Sequence, residues 1–389
     1  MKQNEINYWI TSMLKKHKRV SDLNITVNRP LQVESDGVLI PVDVYPPIQE
    51  LTPFQTEVVA LNLVKQNRRL LTDLVTKGSC DLSYSLDKRN RFRVNIFSQK
   101  GSYSIILRKL ESDIPSIQSF NFPDSFIKMS QEVNGLILFT GATGTGKTTS
   151  LAAILNKINE TRSVHILTLE DPIEYIHPHK KATFNQRELG DDFDSFPNGL
   201  RAALRQAPKV ILVGEIRDRE TLEIALTASE TGHLVFSTLH TIDSGQTINR
   251  ILGMYDQEEQ LQVRHRLADT IRWVVSQRLL PKIGGGRVAA LEVLSTSLRI
   301  KDLILNGETE EKTFYNVLRE SSSYGMRTFD QHLIELFEQG LVTEEAAMAY
   351  CSHKSEIKRS LDTIKSARGE RTSSIDNLAM QEDPQKGRR

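Results

Sequence analysis

Cysteine is almost absent: 389 residues carry only Cys80 and Cys351. With no CxxC pair, neither a disulfide framework nor a four-cysteine zinc site is indicated, and a reducing, cytosolic setting is expected. A charge excess of either sign is also missing, since 50 Lys and Arg stand against 49 Asp and Glu. That balance gives no reason to expect nonspecific nucleic-acid or membrane-surface binding. No apolar run approaches the ~18 residues of a membrane span. The first ten residues are polar and lack a signal-peptide core. Any membrane attachment is therefore expected through a partner. The length suits about two to three domains rather than one core, and no internal repeat is visible.

What the chain does have is a glycine-rich loop, Gly141-Ala142-Thr143-Gly144-Thr145-Gly146-Lys147-Thr148, which fits GxxxxGK[ST]. An apolar run, Leu136 to Phe139, leads into it, and a helical pattern from Thr149 to Ile158 leads out. The glycines let backbone N–H groups curl around phosphate oxygens, Lys147 brings a point charge to the terminal phosphates, and the Thr148 hydroxyl can ligate Mg²⁺. The helix that follows adds its N-terminal dipole. A nucleoside triphosphate with Mg²⁺ is the expected ligand.

Around this loop the chain reads as two kinds of domain. From the N-terminus, a helix over Asn4 to Lys18 precedes alternating runs at Leu23 to Val27, Leu31 to Glu34 and Val38 to Val44. Thr52 and Pro53 are placed as N-cap and first residue of a helix reaching about Val64. Period-two patterning returns at Leu82 to Ser85, Arg91 to Phe97 and Tyr103 to Leu107. These predict a small α+β domain over 1–110, followed by an ordered linker over 111–121. Downstream, Leu136 to Phe139, Val164 to Leu169, Val210 to Val213 and Leu234 to Phe236 read as buried parallel strands. Helices are predicted at Phe196 to Arg205, Glu220 to Thr231, Ser244 to Ile251 and Glu258 to Arg278, and a mainly helical stretch over Leu291 to Ile364. The second domain thus spans 122–366, an α/β domain with a helical C-terminal region. A polar, disordered tail is expected over 367–389.

Triphosphate hydrolysis needs acids opposite the phosphates to help hold Mg²⁺ and to orient or deprotonate water. Glu170-Asp171 follows one predicted strand and Glu215 follows another, and the carboxyl ends of parallel strands are where open α/β sheets bind ligands. Glu215 suits the Walker B acid and the metal, Glu170 the water; a helix cap or loop acid is the plainer reading of each. His233 and His240 bracket the run Leu234 to Leu239, one at each strand end and too far apart to share one metal, and such a pair is more often structural than catalytic. His177-Pro178-His179 reads as a surface loop. Arg201 and Arg205 lie one helical turn apart, suited to pairing acids or a neighbouring subunit. Arg91 and Arg93 share a strand face by parity, and Arg108 lies in the next strand. A solvated face is their plainer reading.

Four stretches together resemble the PilT/PilU family, the retraction ATPases of type IV pili within the secretion ATPase superfamily: GATGTGKTTSLAA at 141–153, LEDPIEY at 169–175, VILVGEIRDRET at 210–221 and TGHLVFSTLHT at 231–241. The resemblance runs from about Ser21 to Ile364. It implies an N-terminal PAS-like domain, a RecA-like ATPase domain and a homohexameric ring, with ATP and Mg²⁺ bound and hydrolysis driving motion. It implies nucleotide contacts from Gly141 through Lys147, Thr148 and Thr149, metal contacts from Thr148 and Glu215, and catalytic roles for Glu170, Glu215, His233 and His240. It also implies that Arg91, Arg93 and Arg108 reach the nucleotide. The expected partner is an inner-membrane pilus platform protein, so that the cytoplasmic chain meets the membrane's inner face only through the pilus machine.

Departures bear on the branch. Where the family carries SDLH, this chain has Ser21-Asp22-Leu23-Asn24, so no histidine role carries over; Lys209 replaces an Asp common before the Walker B strand. Residues 298–305, LRIKDLIL, keep only part of the AIRNLIRE-like stretch of PilT proteins. With LRQAP at 204–208 and MRTFDQ at 326–331 they resemble the PilU branch, an accessory ring working with a paralogous retraction ATPase, while 214–240 resembles PilT. The missing four-cysteine site makes an extension motor less fitting. A RecA-like nucleic-acid translocase lacks the basic, aromatic-interleaved tract it would need.

Overall fold

The computed structural model describes residues 2–370 apart from Lys18, Lys88 and Asn121. Of the tail expected from Ala367, residues 371–389 lie outside the described residues, whereas Arg368 is tied to the Phe337 and Glu338 carbonyls. Two compact units emerge. One comprises the residues up to Ile137 with Thr148–Thr238, the other Leu138–Lys147 with the residues from Leu239 on.

The first unit begins with α1 (Gln3–Lys16), β1 (Val20–Ile25), β2 (Gln32–Ser35) and β3 (Val38–Pro41). Then come α2 (Pro53–Val64), α3 (Arg68–Lys77), β4 (Ser79–Ser85), β5 (Arg91–Gln99) and β6 (Ser102–Leu110). The six strands form one sheet in the order β3-β2-β1-β6-β5-β4, every neighbouring pair antiparallel. Its apolar face, with Leu23, Ile25, Phe92, Val94, Ile96, Ile105 and Leu107, is buried with Ile6, Trp9, Ile10 and Met13 of α1. The predicted start of α2 holds: the Thr52 hydroxyl accepts from Gln55 N at 3.2 Å while Gln55 Oε1 accepts from Thr52 N at 2.8 Å, a reciprocal cap.

Further along come α4 (Asp124–Gln131), β7 (Gly135–Thr140), α5 (Lys147–Thr161), β8 (His165–Glu170), β9 (Thr183–Glu188), α6 (Phe196–Ala203), β10 (Val210–Val213), α7 (Arg219–Glu230) and β11 (Leu234–Leu239). β10 pairs in parallel with both β8 and β11, so that Leu169, Val213 and Ser237 end on one level. All four residues of β10 and all six of β11 are buried, as strands covered on both faces must be.

The second unit continues with α8 (Ser244–Leu252), α9 (Gln260–Thr270), β12 (Ile271–Pro281), β13 (Arg287–Ser295), α10 (Leu298–Asn306), α11 (Phe314–Glu320), α12 (Phe329–Glu338), α13 (Glu344–Tyr350) and α14 (Lys354–Ala367). Here two expectations are corrected. The helix predicted over 258–278 ends at Thr270, and the stretch predicted as mainly helical from Leu291 begins inside a strand. Trp273, Val274 and Val275 suit a strand better than a helix, and β12 pairs with β13 in antiparallel register from Trp273↔Ser295 to Pro281↔Arg287. Gly284, Gly285 and Gly286, all at positive φ, turn the chain between them. In all, the second sheet has seven strands in the order β13-β12-β7-β11-β10-β8-β9. Among the described residues no helix is long and apolar enough to cross a membrane.

Candidate functional site

In the second unit the glycine-rich loop folds back on its own lysine. Lys147 Nζ donates to the carbonyls of Gly141 at 2.7 Å and Ala142 at 3.0 Å, and the Thr145 hydroxyl donates to Ala142 O at 2.9 Å. Gly141, Gly144 and Gly146 all have positive φ. At Gly141 a Cβ would also lie 2.5 Å from the carbonyl oxygen of Gln277, and at Gly146 one would lie 2.9 Å from the Gln277 side-chain nitrogen. The backbone thus needs glycine for conformation and for space. The result is a narrow turn carrying a buried ammonium, the chemistry a chain of phosphates requires.

In the first unit, Glu170 closes β8 with its carboxyl buried. Thr168 Oγ1 donates to Glu170 Oε1 at 2.6 Å and Gln186 Nε2, from β9, donates to the same oxygen at 3.0 Å. Burial pushes this carboxyl up to about 7, against the pull of those hydrogen bonds. Gln186 also donates to Tyr175 O at 2.8 Å, and the Tyr175 hydroxyl lies 3.2 Å from the Thr149 hydroxyl in the opening turn of α5. Glu170 is thereby linked, contact by contact, to the residue two places after Lys147.

Glu215 is held nearby along the sheet. Gly214 N donates to Leu169 O at 2.8 Å, Thr238 Oγ1 to Gly214 O at 2.8 Å and Ile216 N to Thr238 O at 3.0 Å. A Cβ on Gly214 would come within 3.1 Å of Leu169 O, so glycine permits the close approach. The Glu215 carboxylate pairs with Arg217. No group of three or more His, Cys, Asp or Glu among the described residues is placed to hold a metal unaided.

The other expected residues divide. His240, directly after β11, is exposed. His233 precedes β11, at the amino end of the strands and ~20 Å of strand from the end where Glu170 and Glu215 stand. There its Nδ1 lies 3.0 Å from Ala228 O and 3.3 Å from the Thr231 hydroxyl, fastening the end of α7. Arg91 is half-buried, donating to Ile173 O at 2.9 Å and Glu174 O at 3.3 Å, and burial draws its pKa down against the carboxylates of Glu188 and Glu170. It braces the loop after Glu170 within its own chain. Arg93 and Arg108 are cross-strand partners and both exposed; Arg108 Nε donates to Asp22 at 2.9 Å, and Arg93 lies 3.9 Å from Asp81. Arg201 pairs with Glu220, and Arg205 donates to Arg201 O.

The surface loop expected at 177–179 is corrected at its first residue: His177 is buried, its ring stacked 4.4 Å from Phe184, and burial draws its pKa to about 4. Sequence reading misses Thr168, Tyr175, Gln186 and Gln277. The first three sit two to five residues from Glu170 or on the unrecognised β9; period two over Phe184, Gln186 and Glu188 is the signal that finds Gln186.

The family model for type II/IV secretion system proteins matches residues 74–287. The type IV pilus ATPase PilU of Pseudomonas aeruginosa is 36% identical over 373 residues, 95% of this chain and 96% of that protein. The chain belongs to the PilT/PilU family of type II/IV secretion system proteins. The retraction ATPase PilT of the same organism is 39% identical over 327 residues, 84% of this chain and 93% of that protein. A crystal structure of the pilus retraction motor PilT with bound ADP superposes with a TM-score of 0.80 at 41% identity, covering 92% of this chain and 99% of that one. As in that family, a PAS-like N-terminal domain precedes a RecA-like ATPase domain, and the chain is an ATPase that binds nucleotide.

The two loop glycines separate conformation from space. A Cβ placed on Gly144, at φ +80, would meet nothing within 4 Å, whereas one placed on Gly141, at φ +142, would meet a backbone carbonyl. Gly144→Ala should therefore cost only the ~1 kcal/mol of a strained backbone, while Gly141→Ala should lower the thermal midpoint by clearly more. Equal midpoints for the two variants would contradict the geometry.

Proposed function

We propose that this ATPase is a Mg²⁺-dependent, hexameric motor that powers type IV pilus retraction from the cytoplasmic side of the inner membrane, acting on a platform protein of the pilus machine. The observation that carries the chemistry is the buried Glu170 carboxyl, linked through Gln186 and Tyr175 to Thr149 at the start of α5. The names of its high-coverage relatives carry the biology.

In this reading Lys147 and the loop amides bind the terminal phosphates, and Thr148 and Glu215 would hold the metal. Bound Mg²⁺ supplies charge neutralisation as the phosphoryl group transfers. Glu170 takes the proton of the attacking water, a role for which a base poised near neutral pH is well suited. Arg91 positions the loop after Glu170. Exposed Arg93 and Arg108 act on nucleotide held by a neighbouring subunit, where an arginine fork meets phosphate oxygens. An Arg93→Ala/Arg108→Ala variant that forms rings and hydrolyses ATP at the wild-type rate would remove them from that role.

Relatedness to PilU over 95% of the chain favours a second reading, an accessory ring acting beside a primary retraction motor. Cells lacking every other ATPase of this family separate the two. Expression of the chain should restore pilus retraction, and Lys147→Ala should not; recovery only when a second retraction ATPase is also supplied points to the accessory role.

The pH dependence follows from Glu170. A base must be ionised to accept a proton, and with its carboxyl at about 7 the ionised fraction grows as pH rises through that value. Turnover should climb about tenfold per pH unit below neutrality and level off by about pH 8. Steady-state ATPase rates at saturating MgATP give the profile; a rate already flat from pH 5.5 upward would mean Glu170 is not the base.

A further inference from the structure

We propose that Gln277, outside every recognised nucleotide motif, is the positioning residue that holds the phosphate loop in its binding shape; the proposal rests on the ATPase reading. Gln277 is buried in β12, only 3% exposed, and pairs with Leu291 of β13. Its side-chain amide donates to Thr145 O at 2.7 Å across 132 residues of sequence. Its own carbonyl oxygen would lie 2.5 Å from a Cβ on Gly141, and its amide nitrogen 2.9 Å from one on Gly146. One side chain and one carbonyl thus touch the loop at its first glycine, its middle and its last glycine. Ser276, the preceding residue, accepts from the Thr140 hydroxyl at 3.0 Å, so the strand leading into the loop is tied to β12 as well.

The consequence lies in the peptide plane. Across a trans peptide the carbonyl and the following N–H point in opposite directions. With Thr145 O turned onto Gln277, the Gly146 N–H is turned away from it, to the side left for phosphate. Glycine peptides rotate freely when nothing holds them, and a loop that must reorganise on binding loses affinity. Gln277 removes that freedom before nucleotide arrives, and it explains why Gly141 and Gly146 have no room for a side chain.

Gln277→Met and Gln277→Leu fill the same buried site with an apolar side chain and abolish the donor to Thr145 O at any pH. Both should weaken ADP binding and raise the KM for ATP about 3- to 10-fold, the range for one lost buried hydrogen bond, with kcat falling less than KM rises. Amide hydrogen exchange over residues 142–146 of the nucleotide-free protein should speed up by a similar factor, while exchange in β13 stays as in the wild type. Folded variants with wild-type ADP affinity and wild-type loop exchange would overturn the proposal. So would a failure of both variants to fold, which would make Gln277 a support of the fold rather than of the loop. If the wild type itself binds no ADP, the ATPase reading falls instead, and the exchange measurement still decides whether Gln277 holds the loop.

Discussion

A carboxyl group withdrawn from water at the end of β8 sets the requirements for everything around it. An ionised carboxylate is costly to bury unless polar groups meet it, and Glu170 is met on one oxygen by Thr168 and Gln186. Those donors must themselves be held. Gln186 rides on β9, whose register with β8 sets Glu170 beside Glu188, and Glu188 accepts from Ile173 N at 3.1 Å. Arg91 then closes the same loop from β5 through the carbonyls of Ile173 and Glu174. Removing any one of these leaves a buried acceptor or a loose loop next to Glu170. The surroundings thus keep the carboxyl dry enough to titrate near neutrality without excluding its charged form.

The second unit solves a different problem. Its phosphate loop has little to pack with, because glycines carry no side chains, and it relies on hydrogen bonds from Lys147 and Gln277 for shape. The β12–β13 hairpin that carries Gln277 also carries Glu292, which accepts from Ser244 N at 2.8 Å at the start of α8. Burial pushes that carboxyl up to about 7 as well. The hairpin is anchored from the other side, where Arg278 lies 3.8 Å over the Phe329 ring and His332 accepts from Leu291 N at 2.9 Å. A loop and a helix start are therefore set by one pair of strands.

Legibility followed the strength of local signals. The strands around the phosphate loop are short apolar runs, and three of the four come out within a residue at each end, while β11 runs three residues past the predicted Phe236; the α2 cap is read correctly from Thr52 and Pro53 because capping is local chemistry. β9 escapes notice because Thr183 and Asn185 are exposed, the run is mostly polar and only Phe184 is strongly apolar. The hairpin is misread for the opposite reason. Leu267 through Leu280 is apolar enough for either a buried helix or a buried strand, and only its pairing with residues 287–295 decides. Gln277 is invisible in sequence because its meaning lies in a contact with Thr145. The histidines at 233 and 240 are separated as the sequence spacing predicts, one at each end of β11.

The central claim is that Glu170 is the base for ATP hydrolysis, and trapped-nucleotide analysis of Glu170→Gln tests it most directly. The amide keeps the shape of the carboxyl and cannot take up a proton. After incubation with Mg²⁺ and γ-labelled ATP, the purified variant should bind nucleotide with near wild-type affinity and retain it as intact ATP, while the wild type under the same conditions releases phosphate. Phosphate release by Glu170→Gln at the wild-type rate would contradict the account.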